Sequence, residues 1–262
     1  MKNCIILGFG RSGTSLMGGI LYHSGYFMGE DLYPPRESNP KGFFENEFIN
    51  GINESILAPY DYSRLHETGE TLPAGSSPFN PRYGQRWLSH IDSDIPIDCE
   101  DEVILTRIRE AVSVPVFAYK DPRFSYTLPV WKNFLPDNIV ILCLFRNPAS
   151  TARSVIKDCQ SADYLADFQI DENQVFRLWM NSYTRLLANI RNKSIGPVRF
   201  IHYQQLLSGQ VLPALSQWLD MDLDRSFISP ELNRSHSGAD IPEKVSGLYK
   251  TLCDLAGYQP VD

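Results

Sequence analysis

The chain has 262 residues, 43% of them apolar and 12% aromatic, with a formal net charge of −7. That size and composition support one large folded domain or two small ones and exclude wholesale disorder; the acidic balance excludes a general binder of nucleic acid or membrane surface, though a local basic pocket can sit inside an acidic average. Five cysteines, Cys4, Cys99, Cys143, Cys159 and Cys253, form no CxxC pair, so they point to buried apolar packing and to neither a disulfide framework nor a zinc site.

Cys4-Ile5-Ile6-Leu7 is a continuous apolar run ending in Gly8-Phe9-Gly10, and it predicts a parallel strand buried on both faces. The glycines and Arg11 interrupt this run at once, which is not the layout of a signal peptide. Leu16, Met17, Ile20 and Leu21 recur at helical spacing between Thr14 and Ser24, with Gly25 as the stop. Gly18-Gly19 costs this helix propensity, so close packing against the sheet is expected there. Residues 30–50 mix prolines, acids and aromatics, and an amphipathic stretch runs from Glu47 to Leu57. From about Asp61 to Ile97 the composition shifts to Gly, Pro, Ser and scattered charges, which reads as a lid-like or substrate-facing excursion.

A helix is then predicted over Glu100–Ala111, a strand over Val114–Tyr119 and a stronger one over Asn138–Phe145. The apolar part of that last strand, Ile139 to Phe145, is the longest such run and falls well short of the roughly 18 residues of a membrane span. Helices near Ala149–Cys159 and over Asp171–Asn192, a strand over Val198–Tyr203 and a helix over Val211–Asp220 complete the pattern. This alternation predicts one α/β domain across residues 1–262, a parallel sheet flanked by helices in a three-layer sandwich like that of P-loop nucleotide kinases. A soluble, cytoplasmic protein is expected.

Gly8 to Ser15 nearly fits the phosphate-loop pattern G-x-x-x-x-G-K-[ST], between a strand and a helix as that motif requires. Its N–H groups are expected to converge on an anion at the positive end of the helix dipole. Thr14 stands where the lysine belongs, so this loop alone does not neutralise a β/γ-phosphate as a nucleotide triphosphatase does. Two further constellations sit at strand ends: Tyr119-Lys120-Asp121-Pro122-Arg123, and Arg146 with Ser154 eight residues later. In an open parallel sheet all three would meet beyond the carboxyl ends of the strands. Arg146 offers a planar fork of donors and Ser154 a hydroxyl, a pair suited to a terminal phosphate.

Arg11-Ser12-Gly13-Thr14-Ser15, the Lys120-Asp121-Pro122 element and the Arg146/Ser154 pair together resemble the sulfotransferases that use 3′-phosphoadenosine-5′-phosphosulfate (PAPS). Asn39-Pro40-Lys41-Gly42-Phe43-Phe44-Glu45 is similar to a segment of many bacterial members, and Val198 to Leu219 looks like the family's C-terminal portion, with Gln204 where an acid is common. The resemblance implies a transferase with PAPS as donor, PAP as product and no metal. It makes the first loop, Gly10, Arg11, Ser12, Gly13, Thr14 and Ser15, the 5′-phosphosulfate site, and Arg146 with Ser154 the 3′-phosphate site. Lys120 would serve the leaving oxygen, and Arg11 the sulfate and 5′-phosphate. Arg234, in a Ser- and Gly-rich stretch, is a candidate to close over the 3′-phosphate.

The acceptor must lose a proton as it attacks sulfur, so a base is needed. Glu45 comes first, with a raised pKa expected if Phe43 and Phe44 desolvate it; its competing role is a carboxylate at the start of the next helix. Glu30 and Asp31 come second and His66 third. Trp131, Trp179 and Tyr183 have the chemistry to stack an adenine but sit at helix-like, core-like positions. The acceptor is expected to be a small molecule or carbohydrate. Two alternatives stay open: a P-loop-type phosphotransferase or nucleotide-binding protein, and a non-enzymatic anion binder.

Overall fold

Four strands, β1 (Cys4–Leu7), β2 (Ala118–Lys120), β3 (Val140–Phe145) and β4 (Val198–His202), pair in parallel in the order β2-β1-β3-β4. They belong to a computed structural model that describes residues 1–60, 85–162, 165, 169–192, 195–229 and 241–260. Every residue of β1, β2 and β3 is buried, as their unbroken apolar sequences require of strands covered on both faces.

The two-residue period of the strands divides the interior into two cores. Ile5, Leu7, Ile141, Cys143 and Phe145 face one way, toward α2 (Glu47–Leu57), α3 (Glu102–Ala111), α4 (Phe124–Trp131), α5 (Pro148–Ser161), α6 (Glu172–Arg191) and α9 (Glu243–Ala256). Cys4, Ile6, Val140, Leu142 and Leu144 face the other way, toward α1 (Thr14–His23), α7 (Tyr203–Leu207) and α8 (Leu212–Leu219). The result is the expected α/β fold, a parallel sheet between two helical layers. The chain leaves β1 for one side of the sheet and leaves β3 for the other. The adjacent carboxyl ends of β1 and β3 therefore form a switch-point crevice, where open α/β sheets bind ligands. None of the helices among the described residues is long and apolar enough to cross a membrane.

Several boundaries differ from the sequence pattern for identifiable reasons. The second strand begins at Ala118 rather than Val114, because Pro115 has no N–H to give a ladder. Helix α4 carries Pro129 in its interior, and α9 follows Pro242 and contains Gly247; such breakers mask helical periodicity. The glycine pair in α1 packs elsewhere than expected: an added Cβ would lie 2.9 Å from Phe44 Cβ at Gly18 and 2.0 Å from Phe227 Cε1 at Gly19. The close approach is to two aromatic side chains and not to the sheet. Of the lid-like excursion, residues 61–84 lie outside the described residues; in the remainder Asp92, Asp94 and Pro96 are exposed, Gln85, Arg86 and Trp87 line a cleft, and several apolar side chains join the core. Trp87, Leu88, Ile91 and Ile97 are buried, and Arg185 of α6 donates to the carbonyls of Ile91, Ile95 and Asp92.

Candidate functional site

The turn after β1 is shaped by close approach. At Gly8, φ is +142°, and a Cβ there would sit 2.1 Å from the Leu144 carbonyl oxygen of β3, so only glycine fits. Arg11 and Gly13 also have positive φ, +67° and +95°, which curls the backbone into a concave loop ahead of α1. No side chain caps that helix, so its leading N–H groups and dipole are available to an anion. Behind the loop, the buried Tyr183 of α6 accepts from Phe9 N–H at 3.2 Å and donates to the Leu144 carbonyl at 2.8 Å; its hydroxyl lies 3.3 Å from Ser12 Oγ. Burial keeps that phenol protonated.

The loop opens onto a cleft of about 1020 Å³, the size range of small-molecule sites. Nine lysines and arginines line it against five acids, a local reversal of the chain's net charge of −7. Arg11 Nε donates to Ser154 Oγ at 3.1 Å and Nη2 to the Ser38 carbonyl at 2.8 Å, while Nη1 lies 3.8 Å from Asp158 Oδ2. Arg146, just past β3, holds its guanidinium 4.7 Å from the Tyr203 ring centre. Burial lowers its pKa; Tyr203 opposes that shift, and the neighbouring charges of Arg11 and Arg153 add to it. Like charges gathered this way favour an anionic ligand.

At the other side of the loop stands Lys120, the last residue of β2, 5% exposed. Its ammonium pairs with Glu45 Oε1 and donates to Ser15 Oγ at 3.3 Å. Asn50 of α2 donates to Glu45 Oε2 at 2.8 Å. Burial by itself raises the Glu45 pKa, but Lys120, Arg123 and the two hydrogen bonds outweigh it, and the carboxyl is held below its ordinary value. The expected upward shift is thereby corrected, because the carboxylate is paired with the Lys120 ammonium. Nor is Glu45 the helix-terminal group, because Asn46 caps α2 by accepting from Ile49 N–H at 3.2 Å.

Beside Lys120 lies a second set of paired charges. Arg123 Nη1 donates to Asp121 Oδ1 at 2.9 Å and Nε to Glu54, and Glu54 Oε2 accepts from Arg86 at 2.8 Å. Asn53 donates to Asp121 and accepts from Thr127 and from Trp131 Nε1. This network fixes the Lys120–Arg123 turn.

Gly10, Arg11, Gly13, Thr14, Ser15, Glu45, Lys120, Arg146 and Ser154 all line the one cleft. The Ser12 side chain is turned into the core against Tyr183. Glu30 and Asp31 are exposed and do not line the cleft. Trp131, Trp179 and Tyr183 are buried in the core, away from any stacking role. His66 and Arg234 lie outside the described residues. Sequence reasoning missed Arg153, Lys157 and Asp158, which line the cleft with Ser150, Ser154 and Ser161. Their spacing over α5 is that of one helix face, so a polar stripe was the available signal.

No curated protein matches the chain by sequence. Among solved structures, the sulfotransferase domain from the curacin biosynthetic pathway is similar in fold, with 15% identity, a TM-score of 0.50 and 99% of each chain covered. Sulfotransferase STF9 from Mycobacterium avium is similar at 12% identity and a TM-score of 0.51, covering 98% of this chain and 77% of that one. A model of the sulfotransferase family matches residues 4–224, a span containing the phosphate-loop residues, Glu45, Lys120, Arg146 and Ser154, and the chain belongs to that family.

Proposed function

We propose that the protein transfers a sulfuryl group from PAPS to a hydroxyl or amine of a small-molecule or carbohydrate acceptor, in line and with a carboxylate base. The observation that carries this reading is the meeting of Lys120, Glu45 and Ser15 at the mouth of an uncapped phosphate loop. The donor brings the sulfuryl group and a phosphate leaving group. The chain supplies the remainder. Arg11 and the leading N–H groups of α1 hold the 5′-phosphosulfate, while Arg146 and Ser154 hold the 3′-phosphate. Lys120 stabilises charge on the departing oxygen.

Glu45 accepts the acceptor's proton. Its lowered pKa keeps it ionised at neutral pH, so it is ready to accept, although a carboxylate so stabilised is a weaker base than one left unpaired. The crowding of Arg11, Arg146 and Arg153 supports a ligand with several negative charges, and a bisphosphorylated nucleoside is such a ligand. A phosphotransferase reading needs a lysine at position 14, where this chain has a buried threonine.

The test is calorimetric titration with PAP and with ATP–Mg²⁺, followed by turnover of labelled PAPS across a panel of hydroxyl and amine acceptors. PAP is expected to bind with about −8 to −10 kcal/mol, unchanged by EDTA. Loss of binding in EDTA, or tighter binding of ATP–Mg²⁺, would overturn the assignment.

A further inference from the structure

The run Asn39 to Glu45 gives the proposed chemistry one residue, Glu45, yet its first residue touches the phosphate loop directly. Asn39 Nδ2 donates a 3.0 Å hydrogen bond to Ser15 Oγ, and Lys120 Nζ donates a second, of 3.3 Å, to the same oxygen. A serine hydroxyl has two lone pairs and one proton. With both lone pairs engaged, the proton is the remaining hydrogen-bonding capacity of Ser15. Ser15 lines the cleft and lies in the first turn of α1, where the helix end favours negative charge.

The strap that carries Asn39 is held along its length. Asn39 N–H donates to the Arg36 carbonyl at 2.9 Å, and Gly42 N–H donates to the Asn39 carbonyl at 3.0 Å. The Ser38 carbonyl accepts from Arg11 at 2.8 Å. Lys41 donates to the Phe227 carbonyl at 2.8 Å, and Glu45 closes the far end on Lys120. An amide fixed this way holds its orientation at little further entropic cost.

We infer that Asn39 is a positioning residue: by occupying one lone pair of Ser15 Oγ, it turns the Ser15 proton into the cleft as a preset donor to the 5′-anion of the donor substrate. Without Asn39, that lone pair is free to face the anion, and the hydroxyl must be reoriented on binding. The inference rests on the PAPS reading and adds to it a residue outside the phosphate loop.

The experiment is a double-mutant cycle on PAP affinity by calorimetry, using Asn39→Ala, Ser15→Ala and the pair, with adenosine 3′-phosphate as a ligand lacking the 5′-anion. Each single change is expected to weaken PAP binding about 5- to 10-fold, within the net range of a typical hydrogen bond. The pair should be no more than about twofold weaker than Ser15→Ala alone, because Asn39 acts through Ser15. Adenosine 3′-phosphate should bind Asn39→Ala within about twofold of the unaltered protein. If Asn39→Ala does not fold, Asn39→Asp keeps the shape, can only accept, and should weaken PAP binding at least as much.

Full multiplication of the two single effects, an unchanged PAP affinity, or an equal loss for adenosine 3′-phosphate would each overturn the role of Asn39 while leaving the donor assignment in place. An unaltered protein that binds no PAP would remove the donor assignment, and the role of Asn39 with it.

Discussion

Two groups of cations border the same cleft and are built on opposite plans. On the β2 side, Arg123 is buried between Asp121 and Glu54, and Glu54 also accepts from Arg86. Although burial alone would lower it, the surrounding carboxylates raise the Arg123 pKa. On the α5 side, Arg11, Arg146 and Arg153 lie near enough for their charges to oppose one another, and the Arg146 pKa is lowered by burial and by those neighbours. On the β2 side carboxylates hold the turn that carries Lys120; on the α5 side cations are crowded together, Arg11 with Asp158 3.8 Å away among them, and further negative charge is favoured there. Lys120 stands between the two plans, paired with Glu45 yet lining the cleft.

The largest expected effect falls on the compensated side. Arg123→Ala leaves the fully buried Asp121 without its cation and Glu54 with Arg86 alone, and should cost about 3–5 kcal/mol of folding stability, read from denaturant unfolding. A loss within the range of ordinary surface changes would break the contrast between the two groups. Lys120→Ala comes next, with turnover expected to fall about 10²- to 10³-fold and PAP affinity to fall less.

Lys120→Ala has a pH signature as well. The folded-state pKa of Glu45 is depressed, so its contribution to stability is present above the ordinary carboxylate pKa and is lost as pH falls through the lowered value. Without Lys120 the burial effect gains weight and the carboxyl titrates at higher pH. The acid limb of both the melting temperature and the pH–rate profile should therefore move upward; an unmoved limb would mean that the pair does not control Glu45.

On the α5 side, Arg146→Ala should weaken PAP binding by about 2–4 kcal/mol. Adenosine 5′-phosphosulfate, which lacks the 3′-phosphate, should lose much less. Equal losses for the two nucleotides would assign Arg146 to the fold and join it to the Arg123 group.

The sheet and most of its helices were legible because strands buried on both faces read as apolar runs and amphipathic helices as stripes. Glu47–Leu57 was read to the residue, since Asn46 caps it where the pattern starts. The positions of the loop after β1, of Lys120 and of Arg146 were legible because each lies at or just past the carboxyl end of a strand. Less legible were features set by side chains meeting across the fold. The sign of the Glu45 shift depends on Lys120, 75 residues away. Gly18 and Gly19 fit Phe44 and Phe227, which no local pattern announces. Arg153 and Lys157 were readable as a polar helix face, but only once that face was known to border a cleft.

Tyr183 illustrates the same limit and carries the smallest expected effect. Its ring reads as core and does pack against Trp179, with centroids 4.8 Å apart, but its hydroxyl does a second job at the switch point between β1 and β3. It satisfies Phe9 N–H and the Leu144 carbonyl and meets Ser12, so one buried group ties the phosphate loop to the neighbouring strand. Tyr183→Phe keeps the ring and removes that tie, leaving buried polar groups without their partner at a cost of about 1–3 kcal/mol. The loop should loosen without losing its shape, because Gly8 still fits under Leu144. PAP affinity is therefore expected to fall only about two- to fivefold, roughly 0.4–1 kcal/mol by the usual conversion, with turnover of bound donor nearly unchanged. A melting temperature equal to that of the unaltered protein would show that water or a shifted Ser12 replaces the hydroxyl. A loss of turnover at saturating donor would instead mean that the tie sets the alignment of the loop with Lys120, placing Tyr183 among the residues that position the reaction.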